Sequence, residues 1–114
     1  MYELRDQTLC AINSNGTITH RHNAIRTRIV QLLPVADNLM VLEDYYGFSQ
    51  HFSNLYCLNS TSRSVWSAEL PGATDGYVGP MEQRNGNISY NSWKGFRCTI
   101  DTSTGRILQR MFTK

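Results

Sequence analysis

Cysteine is scarce in this chain. Cys10, Cys57 and Cys98 are widely spaced and odd in number. That argues against a disulfide framework, and no Cys-x-x-Cys or His-x-x-x-His spacing offers a metal site. Charge is low too: 18% of residues are charged and the net charge is +2, too little to argue for a nucleic-acid or anionic-membrane partner. No run of about 18 apolar residues exists, so no transmembrane helix is expected. The opening residues, Met1-Tyr2-Glu3-Leu4-Arg5-Asp6, lack a basic segment followed by an apolar one, so no secretory signal is read there. Reduced thiols without a leader make the cytoplasm the expected location. Sustained helical periodicity is also missing.

What is present is a series of short apolar and β-branched runs separated by turn residues. A length of 114 residues suits a single domain, and 40% hydrophobic with 11% aromatic residues fits a β-rich globule. Met1 to Arg5, Thr8 to Asn13 and Thr17 to His20 read as strands, with turns at Asp6-Gln7 and Ser14-Asn15-Gly16. Ile29 to Val35 and Leu39 to Tyr45 read as a hairpin of buried strands, with Pro34 at an edge or end. Further strands are expected at Leu55 to Asn59, Arg63 to Glu69, Tyr77 to Glu82, Asn87 to Trp93, Phe96 to Ile100 and Arg106 to Phe112. The Asn85-Gly86 pair is the strongest hairpin signal among them.

Three stretches are copies of one pattern. Ile12-Asn13, Leu58-Asn59 and Ile100-Asp101 align, and so do Gly16, Ser62 and Gly105 in the turns that follow. The spacing is 46 residues from Asn13 to Asn59 and 42 from Asn59 to Asp101. A period in the forties with four strands per period is the signature of propeller blades. The Asn or Asp side chain bonds to the turn backbone, and Gly tolerates positive φ.

At these residues the chain resembles the blade repeats of quinoprotein-dehydrogenase-like (PQQ-like) β-propellers. Leu55-Tyr56-Cys57-Leu58-Asn59 through Val65-Trp66 carries the resemblance, as does Ile100-Asp101 through Thr104-Gly105 to Leu108. The Trp of the pattern stands at Trp66 and is replaced by His20 and Gln109 in the other copies. As a whole the chain is similar to short bacterial proteins built of such repeats. The resemblance implies an all-β, partial β-propeller-like stack of antiparallel four-stranded meander blades. Two repeats are full, at about 29–69 and 70–114, and one, at about 1–20, is truncated, all within a single domain spanning 1–114. Closed propellers have about four to eight blades, so uncovered blade faces and edges are expected. Self-association or another protein partner would cover them. Quinone-binding propeller enzymes, by the resemblance, use adjacent cysteines, a Trp floor and acidic calcium ligands. No adjacent cysteines occur here, so no cofactor residue is carried over and no cofactor is expected.

Candidate sites are few. The connection Arg21 to Arg28 could contact an anion, although a solvated loop is the plainer reading. His20 and His22 could weakly bind a metal from one strand face, and Cys57 with His51 is a conceivable nucleophile pair. A solvated strand end and a structural thiol are the plainer alternatives. Asp37, Glu43 and Asp44 could cluster, yet solvated turn acids are expected. The long stretch Asp44 to Asn54 holds four aromatics and a histidine around Gly47. Together with Trp93 it supplies the candidate interaction surface: Tyr45, Tyr46, Phe48, His51, Phe52 and Trp93. These readings favour a protein-interaction or scaffolding module. The alternative is a small-ligand or carbohydrate binder using the aromatic loop 44–54. No catalytic or metal constellation is found, so no enzyme is expected.

Overall fold

The computed structural model describes residues 1–47, 52–79, 82–84, 87–113. Eleven strands are described, in three sheets, and there is no helix among the described residues. The first sheet joins β1 (Tyr2–Arg5), β2 (Thr8–Ile12) and β3 (Ile18–Asn23) in that order. The second runs β4 (Ile29–Val35), β5 (Asn38–Glu43), β6 (Leu55–Leu58) and β7 (Ser64–Ser67). The third runs β8 (Glu82–Arg84), β9 (Asn87–Asn91), β10 (Phe96–Ile100) and β11 (Ile107–Phe112). Every pairing is antiparallel between sequence neighbours, so each sheet is a meander blade. Pro34 lies on β4, an edge strand, as its missing N–H requires.

The second blade is the middle layer. β6 and the stretch of β5 from Leu39 to Leu42 are apolar without alternation because both their faces are covered. Successive residues point to opposite sides and sort into two cores. Met40, Leu42, Leu55, Cys57 and Trp66 meet Tyr77, Ile88, Tyr90, Cys98 and Ile100 of the third blade. Leu39, Val41, Tyr56 and Leu58 meet Leu9 of the first blade and Ile29.

The repeat turns form as their residues dictate. Asn13 Oδ1 accepts from the N–H groups of Asn15 and Thr17, and Asn59 Oδ1 from those of Thr61 and Arg63. Asp101 Oδ1 accepts from Ser103 N. Gly16, Ser62 and Gly105 all take positive φ, at 80, 60 and 77°. That shared conformation confirms the alignment of the copies. Register confirms the Trp position: Trp66 stands opposite Cys57, His20 opposite Ala11 and Gln109 opposite Thr99.

Trp66 joins the second blade to the third. Its indole lies on Gly105, where a Cβ would overlap the ring, and its Nε1 donates to Thr102 O at 3.1 Å. Glu69 reinforces the joint, donating its N–H to Gly105 O and accepting from Ile107 N at 2.9 Å. The first joint has no such dock. There His20 replaces the Trp, and Ser62 stands in the glycine position with a buried Oγ that finds no hydrogen-bond partner.

Two expectations need correction. β3 continues through Arg21-His22-Asn23, so the connection shortens to residues 24–28. Tyr77 to Glu82 is not one strand: Tyr77 makes an isolated bridge to Ser92, Gly79 turns at φ 69°, and β8 starts at Glu82. The turn pair Asn85-Gly86 lies outside the described residues. The uncovered faces at the two ends of the stack are largely polar, although Met111, paired with Arg97 on the third blade, is exposed. Opposite to Leu9, the first blade presents Thr8, whose Oγ1 donates to Asn23 Oδ1 at 2.8 Å, and the Arg5–Glu3 pair. Opposite to Ile88 and Ile100, the third presents Ser89 and Thr99, their hydroxyls 3.1 Å apart, and Arg97 bonded to Asn91. Terminal repeats with polar outer faces cap a stack as they do in solenoids.

Gly105→Ala should therefore cost about 2–4 kcal/mol, because overpacking against Trp66 adds to left-handed strain. Gly16→Ala has nothing within 4 Å to meet and should cost only about 1 kcal/mol. Urea unfolding of the two variants measures the difference, and equal losses would remove the Trp66 dock from the account.

Candidate interaction surface

The connection from the first blade to the second is organised by a buried carboxylate. Glu43 ends β5 with no exposed surface. Its Oε2 accepts from Ile25 N at 2.7 Å and its Oε1 from Arg26 N and Thr27 N at 3.1 and 3.2 Å. The Tyr56 hydroxyl donates to Oε2 at 2.5 Å. A hydroxyl has one proton, so the 2.8 Å contact between Tyr56 and His22 must be His22 Nε2–H donating to the Tyr56 oxygen. The basic connection thus does hold an anion, but through backbone N–H groups, and the anion belongs to the protein. Burial pushes the Glu43 carboxyl up, while Tyr56 and the three backbone donors outweigh it and hold it below the ordinary range. Burial holds the His22 imidazole below its ordinary 6.5, with Glu43 opposing only in part. The Tyr56 hydroxyl is pushed far up by burial and by the neighbouring carboxylate.

Asn54 fastens this node to the third blade. Its Nδ2 donates to Glu43 O at 2.8 Å and to Tyr77 O at 2.7 Å, and its Oδ1 accepts from Tyr77 N at 2.9 Å. The side-chain amide acts as one rung of a β-ladder. Asp75 extends the link: its Oδ1 accepts from Gly76 N and Lys94 N at 2.8 and 3.0 Å.

On this frame sit the aromatic residues expected to make a surface. Tyr45 is half-buried and packs on Gly76, where a Cβ would collide with its ring. Trp93 stacks on Tyr45 at 5.4 Å and 19° between planes. Tyr46 stands edge-on to both, 5.8 Å from Tyr45 and 5.3 Å from Trp93. Tyr46 is 66% exposed and Trp93 46% exposed. Beside them a cleft of about 230 Å³ is lined by Val30, Asp44, Tyr45, Tyr46, Tyr77 and Val78 among others. The register shift between Ile29 and Gln31 turns Val30 outward to the cleft.

The six candidate residues therefore divide. Tyr45, Tyr46 and Trp93 come together across two blades. Phe52 stands apart under the Arg26 guanidinium, 4.2 Å from its ring centre. Phe48 and His51 lie outside the described residues. Tyr90, two strand positions from Ser92, is core and stands edge-on to Tyr77.

The weaker sites resolve into structure. Asp37 lies in the turn at the far end of β5 from Glu43, and Asp44 faces Arg28 at 3.6 Å, so the three acids do not cluster. Glu43 is no solvated turn acid. Cys57 and Cys98 are buried thiols raised by burial, Cys98 to about 11. Sequence reasoning missed Asn54, Asp75 and Gly76. The one available signal was that a polar Asn directly precedes an uninterrupted apolar strand.

Stacked antiparallel meanders clamped blade to blade define an all-β, partial β-propeller-like protein. Over residues 5–112 the chain matches the model of the family described as "Domain of unknown function (DUF7957)", and it belongs to that family. Among solved structures it is similar to BamB from Moraxella catarrhalis, with 15% identity and a TM-score of 0.63. The similarity covers 98% of this chain and 31% of that one, so the chain spans well under half of its neighbour, and the likeness is one of fold. No curated protein matches the sequence.

Glu43→Gln places an amide among donors and should cost about 3 kcal/mol or more. The pH dependence has two windows, both with stability falling on acidification. His22 resists protonation in the folded state, so stability drops as pH falls from its ordinary 6.5 towards its lower native value. The Glu43 contribution is full above its ordinary 4.5 and is lost as pH falls through its depressed native value. Unfolding free energy against pH should lose the upper window in His22→Gln and keep the lower.

Proposed function

We propose that this chain is a protein-interaction or scaffolding module, not an enzyme, and that it docks a partner protein on Tyr46 and Trp93. The observation that carries this reading is the support beneath the two rings. Tyr45, seated on Gly76, holds Trp93 flat, and the Asn54 and Asp75 bonds hold the segments beneath. Pre-positioned aromatic anchors lose little conformational entropy on binding and dominate interface energetics. Val30 and Val78 widen the apolar contact beside them.

Two partners follow from the sequence: a second copy and another protein. The largely polar end faces favour another protein. The carbohydrate reading gains less support, because Tyr45 already spends its ring on Gly76 and Trp93.

The double variant Tyr46→Ala/Trp93→Ala should keep its unfolding midpoint and lose partner binding by about 2 kcal/mol or more, roughly 30-fold. Affinity capture followed by titration of the captured partner checks this. Equal affinity in the double variant discards the surface. Saturable binding of a simple sugar that perturbs Trp93 fluorescence would support the carbohydrate reading instead.

A further inference from the structure

Asp44 lines the cleft beside Tyr46 and is held there firmly. Asp44 N donates to Arg28 O at 2.8 Å, and Thr27 Oγ1 donates to Asp44 O at 2.8 Å. The side chain is fixed at one oxygen, since Oδ1 accepts from Tyr46 N at 3.1 Å. Among the described residues, Oδ2 accepts no hydrogen bond and faces the Arg28 guanidinium with Nε 3.6 Å away, beyond bonding distance. Arg28 is 65% exposed and Asp44 32%, and so open a pair is held weakly.

Glu43, next to it in sequence, has no such capacity. Its carboxylate is engaged by three backbone N–H groups and the Tyr56 hydroxyl and has no exposed surface. Asp44 Oδ2 is therefore the acceptor that the cleft offers to solvent.

The walls around that acceptor are apolar and aromatic. Val30 and Val78 are exposed there, and the ring of Tyr46 is mostly uncovered. The volume of about 230 Å³ is below the ~300 Å³ at which small-molecule sites begin, and gives room for one long side chain. Such walls with a carboxylate among them suit an apolar stem that ends in a cation. The chain itself shows which cation suits a ring. Arg26 lies over Phe52, 4.2 Å from its centre, and Arg110 over Phe96 at 5.1 Å. A guanidinium is planar, weakly hydrated and forked, so it stacks on a ring while it bonds a carboxylate.

We propose that the partner protein inserts an arginine side chain into this cleft, its guanidinium against Tyr46 and bonded to Asp44 Oδ2. Its stem lies along Val30 and Val78. Arg28 gives way, because its own contact with Asp44 is long and open to solvent. The inference rests on the docking reading of Tyr46 and Trp93 and names the partner chemistry that surface selects. The charge supplies selectivity and the rings supply contact area.

The probe is the capped tripeptide acetyl-Leu-Arg-Leu-amide, titrated into the whole isotope-labelled chain by NMR. Saturable shifts are expected at Val30, Asp44, Tyr46 and Val78. The same peptide with citrulline, the uncharged counterpart of arginine, should bind about fivefold more weakly. Asp44→Asn keeps an oxygen for Tyr46 N and should bind the arginine peptide no better than the citrulline one. If that variant unfolds, the comparison of the two peptides on the unaltered chain decides. No saturable binding overturns the proposal, as do equal affinity for the two peptides or shifts confined to other residues. A lysine peptide that binds as tightly as the arginine one overturns it too. Affinity for the captured partner separates this inference from the docking reading beneath it. If Asp44→Asn keeps that affinity and Tyr46→Ala/Trp93→Ala loses it, the arginine is discarded and the surface stands. If both variants keep it, both are discarded.

Discussion

A single buried carboxylate holds the architecture together. An ionised Glu in an apolar interior is tolerated only when its oxygens are fully engaged. Glu43 meets that demand with three backbone donors from the connection between the first two blades and a hydroxyl from the middle blade. The same residue's carbonyl receives Asn54, which also binds both backbone groups of Tyr77 at the start of the third blade. All three blades thus meet within two hydrogen-bonded steps of one residue. Because charge-assisted bonds are directional, they select one arrangement of sheets that hydrophobic contact alone would leave loosely specified.

The two joints between blades use different physics. The second and third blades dock by shape: an indole on a glycine, sealed by a bond from Nε1 to a carbonyl. The first and second blades dock by a polar chain from His22 through Tyr56 to Glu43. The polar chain of the first joint ends in a histidine that burial keeps neutral. The first blade is accordingly the part of the stack whose attachment responds to acid.

The polar ends and the aromatic surface divide the outside of the molecule into unlike regions. Both terminal faces carry polar contacts within their own sheets, an ion pair on the first blade and hydroxyl contacts on the third among them. The rings of Tyr46 and Trp93 lie instead at the loop end, where the strand connections of two blades converge. A surface built across a joint is only as rigid as the joint. Here Asn54 and Asp75 supply the rigidity, which connects the buried network to the exposed contact.

Much of this was legible in order along the chain. Most strand positions, the three aligned turns and the burial of Leu39 to Leu42 follow from local rules: β-branched runs, Asn or Asp with Gly, and apolar segments without alternation; the same rule read Ile29 to Val35 as buried, where Ile29 alone is fully so because β4 is an edge strand. Tyr45, Tyr46 and Trp93 were legible as exposed aromatics, but not as neighbours, since 47 residues separate Tyr46 from Trp93. Glu43 read as a solvated turn acid because nothing near it in sequence announces its donors, which arrive from residues 25–27 and from Tyr56. Ser62 at a glycine position and His20 at a tryptophan position were visible as departures, yet that they mark a different kind of joint was not. Local sequence determines which segments become strands and turns, because those depend on neighbours a few residues away. Which charge is buried, which face is polar and which rings touch was decided by the packing of blades, because each depends on partners that only folding brings together.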